Sequence, residues 1–214
     1  MTITKLGHCC LLIEVRGVRI MTDPGVFTKD LHERERGLDA VLITHEHADH
    51  LHVASLRALR AANPAARIIC NTGVGRLLAA EGIPHEVLAD GATTDVKGVP
   101  IAAAGTVHAT VHASLPLVDN TGFFIAESFW YPGDAFTRIE AAPAILALPI
   151  AGPWMKLSEA IDFAIAQKPE LCIPVHDHVL SEDGRAVHER VTGSILEARG
   201  IRFLPLEIGK EYEL

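Results

Sequence analysis

Apolar residues fall in short blocks along this chain, and the period within each block separates strands from helices. Residues 11–15 and 18–22 are β-rich runs joined by Arg16-Gly17, where the glycine can take the positive φ of a tight turn, so a β-hairpin is expected to open the fold. A third run, residues 40–44, reads as a strand, and after it Leu51, Ala54, Ser55, Ala58, Leu59 and Ala62 recur at helical spacing until Asn63-Pro64 stops them. Residues 67–70 resume as a strand, followed by a helix predicted from about Gly73 to Glu81 and ended by Gly82. Strands are predicted at residues 101–107, 122–126, 129–131 and 144–147. Further helices are predicted at about 158–166, with Ser158 as cap and Glu159 in the first turn, and at about 185–199, with Gly200 just past the end. Between them, residues 171–175 form a short buried strand that runs into His176. Strands grouped with interspersed helices suit two sheets packed face to face with helices outside, but periodicity alone does not separate this arrangement from other α/β folds. No repeat, low-complexity tract or long linker interrupts the pattern, so residues 1–214 are expected to form one domain.

Composition narrows the function classes. A chain of 214 residues that is 49% hydrophobic and 21% charged has material for one substantial core. With 19 Lys and Arg against 27 Asp and Glu, the formal charge of −8 provides no global field for a phosphate backbone, which argues against nucleic acid as a partner. The start of the sequence lacks the charged and apolar regions of a secretion signal, and no apolar run approaches the ~20 residues of a membrane span, so a cytoplasmic protein with no membrane partner is expected. Four cysteines without C-x-x-C spacing read as small buried side chains in a reducing compartment. Twelve histidines, grouped near acidic residues, suggest metal chemistry or proton transfer.

The densest group is His45-x-His47-x-Asp49-His50, directly after a predicted strand. Imidazole nitrogen and carboxylate oxygen suit zinc, and also manganese or iron. From the loop, His45 and His47 can point toward one metal, while Asp49 and His50, at the turn into the helix, can aim at a second. Glu46 lies between two of these and is expected to point away. Further donors are expected at later strand ends: His108 with His112 as competitor, Asp134 after Pro132-Gly133, where a glycine permits close backbone approach and a carboxylate can bridge two cations, and His176 against His178.

The ordered set Gly7-His8, Thr22-Asp23-Pro24, His45-x-His47-x-Asp49-His50, Pro132-Gly133-Asp134 and Pro174-Val175-His176 resembles the metallo-β-lactamase superfamily. Within it, the Gly-His opening and the Pro-x-His close resemble the branch that includes L-ascorbate-6-phosphate lactonase and related metal-dependent hydrolases. The resemblance implies a four-layer αββα sandwich with the site at one edge of the two sheets. It also implies two divalent metal ions, most often zinc, with manganese or iron in some branches. His45, His47 and His108 would hold one ion, Asp49, His50 and His176 the other, with Asp134 bridging and Asp49 and Asp134 serving catalysis. This chain departs from the family in offering both His108 and His112 where one middle histidine is usual. In the family, the aspartate corresponding to Asp23 lies near the metals and can orient a ligand histidine; as an Asp-Pro pair it can equally be a plain turn.

His8 is expected to reach substrate or a metal-bound water, or simply to pack. His112, Asp177 and His178 are candidate pocket residues, as is Trp154, which can equally be plain packing. His32, His52, His85 and His188 have no partner motif and are expected at the surface, and the charged run 30–36 is expected to form a solvated loop or short helix bordering the site. The expected reaction is metal-assisted hydrolysis of a small, preferably polar, ester, lactone or phosphodiester, by a monomer or a homo-oligomer. No nucleophile elbow or phosphate-cradling glycine loop points elsewhere. The alternatives are iron-dependent redox chemistry on the same fold and a metal-binding homologue without turnover.

Overall fold

The computed structural model describes residues 1–214. One sheet is built from β1 (Thr2–Gly7), β2 (Cys10–Val15), β3 (Val18–Thr22), β4 (Ala40–Ile43), β5 (Arg67–Cys70), β6 (Glu86–Val87) and β14 (Glu211–Glu213), in the order β14-β1-β2-β3-β4-β5-β6. The other contains β7 (Thr93–Val96), β8 (Val99–Ala104), β9 (Gly122–Ile125), β10 (Phe129–Tyr131), β11 (Ile145–Pro149), β12 (Leu171–Val175) and β13 (Arg202–Phe203), in the order β13-β12-β11-β10-β9-β8-β7. The helices are α1 (Lys29–His32), α2 (Val53–Ala62), α3 (Thr72–Ala80), α4 (Leu157–Gln167) and α5 (Glu182–Glu197).

Side chains alternate between the two faces of a strand, and here both faces are apolar, so each sheet must be covered twice. Leu11 and Ile13 of β2 join Phe123, Ile125, Tyr131 and Ile173 of the second sheet in a cluster of 25 residues between the sheets. Cys10 and Leu12, one position out of phase, join Leu56 and Leu59 of α2 and Val74 and Leu78 of α3 on the first sheet's outer face. Leu146, Leu148 and Cys172 pack against Ala160 and Phe163 of α4 and Leu196 of α5 on the outer face of the second. The result is the αββα sandwich.

Strand direction places the chemistry. β3, β4 and β5 are mutually parallel in one sheet, and β10, β11 and β12 in the other. The loops leaving β3, β4, β10 and β12 carry Asp23, His45, Asp134 and His176, and all four meet at one edge of the sandwich.

Several sequence expectations are corrected here. The hairpin of β2 and β3 is preceded by β1, which pairs antiparallel with β2. The strand expected over residues 101–107 ends at Ala104, because Gly105 turns the backbone with φ +96°; His108 therefore sits on a loop. α4 begins at Leu157, so Ser158 lies inside the helix, and the Glu159 carboxylate accepts from the Lys156 backbone N–H at 2.8 Å. α5 begins at Glu182, where Ser181 Oγ accepts from the Gly184 N–H at 3.1 Å; that glycine in the first turn masks the true start. β6, β7, β13 and β14 were not predicted: they run only two to four residues and lie at the sheet edges, with too little alternation to read. No helix is long and apolar enough to cross a membrane.

Candidate metal centre

Parallel β4 delivers Thr44 and His45 to the edge, and the chain then turns tightly, with the N–H groups of His50 and Leu51 both donating to His47 O. This turn brings His45, His47, Asp49 and His50 around one space before α2 begins. Asp134 arrives from β10 through Gly133, at φ +66°, where a Cβ would stand 2.3 Å from Asn120 Oδ1 and 2.8 Å from Thr44 Cβ. Only glycine allows this approach. Asn120 Oδ1 in turn accepts the Asp134 N–H at 3.0 Å.

Two sets of donors result. One nitrogen from each of His45, His47 and His108 lies within 4.8 Å of the others, and one atom from each of His8, Asp49, His50 and His176 forms a second such set. Asp134 touches both: its Oδ2 is 3.4 Å from His108 Nε2 and 2.9 Å from His176 Nε2, and its Oδ1 is 3.3 Å from His50 Nε2. His45 Nε2 and His47 Nδ1 stand 3.1 Å apart.

Each ring is aimed by what its other nitrogen does. His50 Nδ1 donates to Asp23 Oδ2 at 2.7 Å, which turns Nε2 into the site. His45 Nδ1 lies 3.0 Å from Thr44 Oγ1, which itself donates to Asp23 Oδ2 at 2.6 Å, so Asp23 governs both rings. Tyr131 adds a hydroxyl donor to the same Asp23 oxygen at 2.5 Å. Asp23 is fully buried and sits at φ 36°; it is far more than an Asp-Pro turn. His108 Nδ1 donates to Ala109 O at 2.5 Å. His8 and His176 also have left-handed backbones, at φ 47° and 59°, so backbone strain gathers at this edge.

The electrostatics favour a cation. Six buried polar atoms here have no hydrogen-bond partner: His8 Nδ1, His50 Nε2, His108 Nε2, both ring nitrogens of His176, and Asp134 Oδ1. Leaving a buried polar atom unpaired costs about 1–3 kcal/mol, and borderline nitrogen and oxygen donors converging from two sides are the set that divalent zinc, manganese or iron accept. The residues therefore fit such ions. Burial holds the His45 ring well below the ordinary histidine range and brings His8 down to about 4, so both are neutral near pH 7. Burial alone would raise Asp134 and Asp49, but the surrounding histidines and the His8 hydrogen bond outweigh it and keep both carboxylates ionised. Burial opposes charge on His50 too, yet Asp134 and Asp23 on either side raise it well above the usual value. A positive charge is wanted at this point, from a proton or a metal.

Among the other sequence candidates, His112 is exposed, hydrogen-bonded to Ser114, and lines a cavity beside His108 rather than joining the donors. His178 is exposed and stacks on Phe27 at 4.6 Å, outside the cluster. Asp177 does not line the site: it is buried in an ion pair with Lys5 at 2.7 Å, and Lys5 also donates to Pro174 O, which braces the strand leading to His176. Glu46 points to solvent.

The expectation of four surface histidines is corrected. His32 is fully buried, and His52, His85 and His188 are half-buried; each Nδ1 has a nearby partner, Thr28 Oγ1, Ser55 Oγ, Ile83 O and Ile150 O respectively, which offsets the loss of water. All four cysteines are buried and unpaired, and burial raises the Cys9 thiol well above its ordinary range, so it stays protonated beside His50 and Asp134. Sequence reasoning left Trp154 undecided and missed Tyr131. Trp154 is buried and its indole N–H donates to Asp134 Oδ2 at 2.8 Å; its place in Gly152-Pro153-Trp154 was the available signal.

Comparison with known proteins agrees with this geometry. A family model described as the beta-lactamase superfamily domain matches residues 2–176. The chain is 34% identical over 193 residues to Protein Rv0786c of Mycobacterium tuberculosis, covering 88% of this chain and 89% of that protein. It is 28% identical over 225 residues to a UPF0173 metal-dependent hydrolase of Methanocaldococcus jannaschii, covering 99% of this chain and 100% of that one. In fold it resembles Igni18, a metallo hydrolase from Ignicoccus hospitalis, with a TM-score of 0.75 at 21% identity over 100% of this chain and 98% of that one.

Proposed function

The chain belongs to the beta-lactamase superfamily and is a metal-dependent hydrolase of it, and from that premise we propose that its two donor sets hold two divalent cations, zinc foremost, for hydrolysis of a small ester, lactone or phosphodiester. The observation that carries this reading is the position of the Asp134 carboxylate between the two donor sets, with Oδ2 3.4 Å from His108 Nε2 on one side and 2.9 Å from His176 Nε2 on the other, and Oδ1 3.3 Å from His50 Nε2. His45, His47 and His108 would hold one ion, and Asp49, His50 and His176 the other, with Asp134 shared.

When bound, such ions supply Lewis-acid activation of water, lowering its pKa from about 15.7 toward ~7, and polarise the oxygen of the bond under attack. The rest falls to the chain. Asp49, ionised and one quarter exposed (25%), faces the opening and orients the incoming water by accepting its hydrogen bond. His8 Nε2 lies 3.2 Å from Asp49 Oδ2 and holds that carboxylate in place. Asp23, through His50 directly and through Thr44 to His45, keeps the imidazole lone pairs turned inward. Trp154 fixes the rotation of the Asp134 carboxylate.

Elemental analysis of purified protein is the test. Two zinc ions per chain, with hydrolysis of a lactone or phosphodiester panel lost on chelation and restored by zinc, is the expected result. Iron accompanied by oxygen uptake would replace hydrolysis by redox chemistry. Fully metal-loaded protein inert across the panel would leave a binding homologue, and full turnover without metal would end the proposal.

A further inference from the structure

Ten large apolar side chains are exposed, and four of them, Val107, Val111, Leu115 and Leu117, fall within eleven residues of the loop that carries His108. The other six are scattered over five separate segments. Clustered exposed apolar surface marks a binding site more often than a packing accident. This loop, between β8 and β9, walls a cavity of about 250 Å³ lined by Val111, Leu115, Leu117 and Val118 and, among its polar residues, by His47, His108 and His112. That volume lies just under the ~300–1,000 Å³ usual for small-molecule pockets. His108 is 4% exposed and its Nε2 has no partner, so the apolar cavity opens directly on the donor set it shares with His45 and His47. On the far side of the cluster the rim is aromatic and polar, formed by Phe27 and His178.

We propose that this cavity receives the apolar acyl part of the substrate, so that the enzyme selects small carboxylic esters or lactones bearing a chain of several carbons. The proposal rests on the hydrolase reading above and narrows its substrate class. Water adds to the acyl carbon, the acyl C–O bond breaks, and a proton from that water passes to the departing alkoxide, giving a carboxylic acid and an alcohol, or one hydroxy acid from a lactone. The carbonyl stays beside His47 and His108, and the chain extends between Val111 and Leu117.

The zinc-loaded protein is titrated by calorimetry with straight-chain carboxylates from acetate to octanoate, and assayed with methyl esters and γ-lactones of matching chain length. Affinity and kcat/KM are expected to rise about threefold to fourfold per methylene over the first few carbons, the gain from burying each one, and then to level off as the cavity fills. In a double variant, Leu115→Ser with Leu117→Ser, the octanoate-to-acetate ratio falls toward one, while Val87→Ser, an exposed position on β6, leaves that ratio as it was. A series that is flat or falling in both readouts overturns the assignment of the cavity. Chain-length-dependent carboxylate binding with no turnover of any ester or lactone keeps the cavity and overturns the hydrolytic reading, so the two failures are distinct. A flat series together with a dimer in sedimentation that the double variant abolishes gives the patch to a second copy of this chain and overturns the proposal.

Discussion

Two regions of this molecule bury histidines, and they differ in what meets the second ring nitrogen. At the corner where α1 meets α2, His32 is fully buried with Nδ1 2.9 Å from Thr28 Oγ1, and His52 pairs with Ser55, whose hydroxyl donates to Glu33. His32 Nε2 is buried without a partner, just as His50 Nε2 and His108 Nε2 are at the sandwich edge. Yet no other donor converges on it, whereas the edge nitrogens face one another and Asp134. Burial and a free nitrogen are thus common to both regions. Convergence separates a metal centre from a structural corner, because a cation repays desolvated donors only when several reach it at once.

The comparison breaks most severely at the shared carboxylate. Asp134→Ala is expected to release metal from both donor sets and to lower turnover by more than the roughly 10–100-fold that the loss of an outer partner costs; metal content after dialysis, with circular dichroism to check folding, measures it. His32→Phe should keep both metal and turnover. Equal metal loss in the two variants would erase the distinction between the regions.

Next in size is Asp23→Asn, which keeps the shape but removes the charge that holds the N–H of His50 and, through Thr44, the ring of His45. Metal affinity is expected to drop roughly 10–100-fold, read by competition with a chromophoric chelator. Unchanged affinity would mean that the rings are aimed by packing alone.

The smallest expected effect belongs to the corner. Burial lowers His32 to about 4 from an ordinary 6.5. Above pH 6.5 it is neutral both folded and unfolded, so its full contribution to stability is present there. As pH falls from 6.5 toward 4, the unfolded chain takes up the proton and the folded chain resists it, and stability is lost by up to about 1.4 kcal/mol per pH unit. Metal-free His32→Phe should therefore lose Tm less steeply than the parent across that window. Parallel Tm curves would show that the corner opens to admit the proton.

How much of this was legible can be judged from particular residues. The helices over Val53–Ala62 and Thr72–Ala80 and the strands leading to His45 and His176 follow from local period and from stop signals such as Asn63-Pro64. The edge strands and the starts of α4 and α5 were not legible: short exposed strands carry no alternation, and a helix cap depends on which side chain turns back.

By itself the sequence determined the donor chemistry and the class of fold, since residue type, ligand spacing on one loop and apolar period are properties of neighbouring positions. Tertiary structure alone decided that His108 and not His112 faces Asp134, that Asp177 turns to Lys5, and that Tyr131, 108 residues away, holds Asp23. Those choices are made by hydrogen bonds between segments that meet only when the two sheets close on each other, and buried polar groups take whichever partner that closure brings within reach.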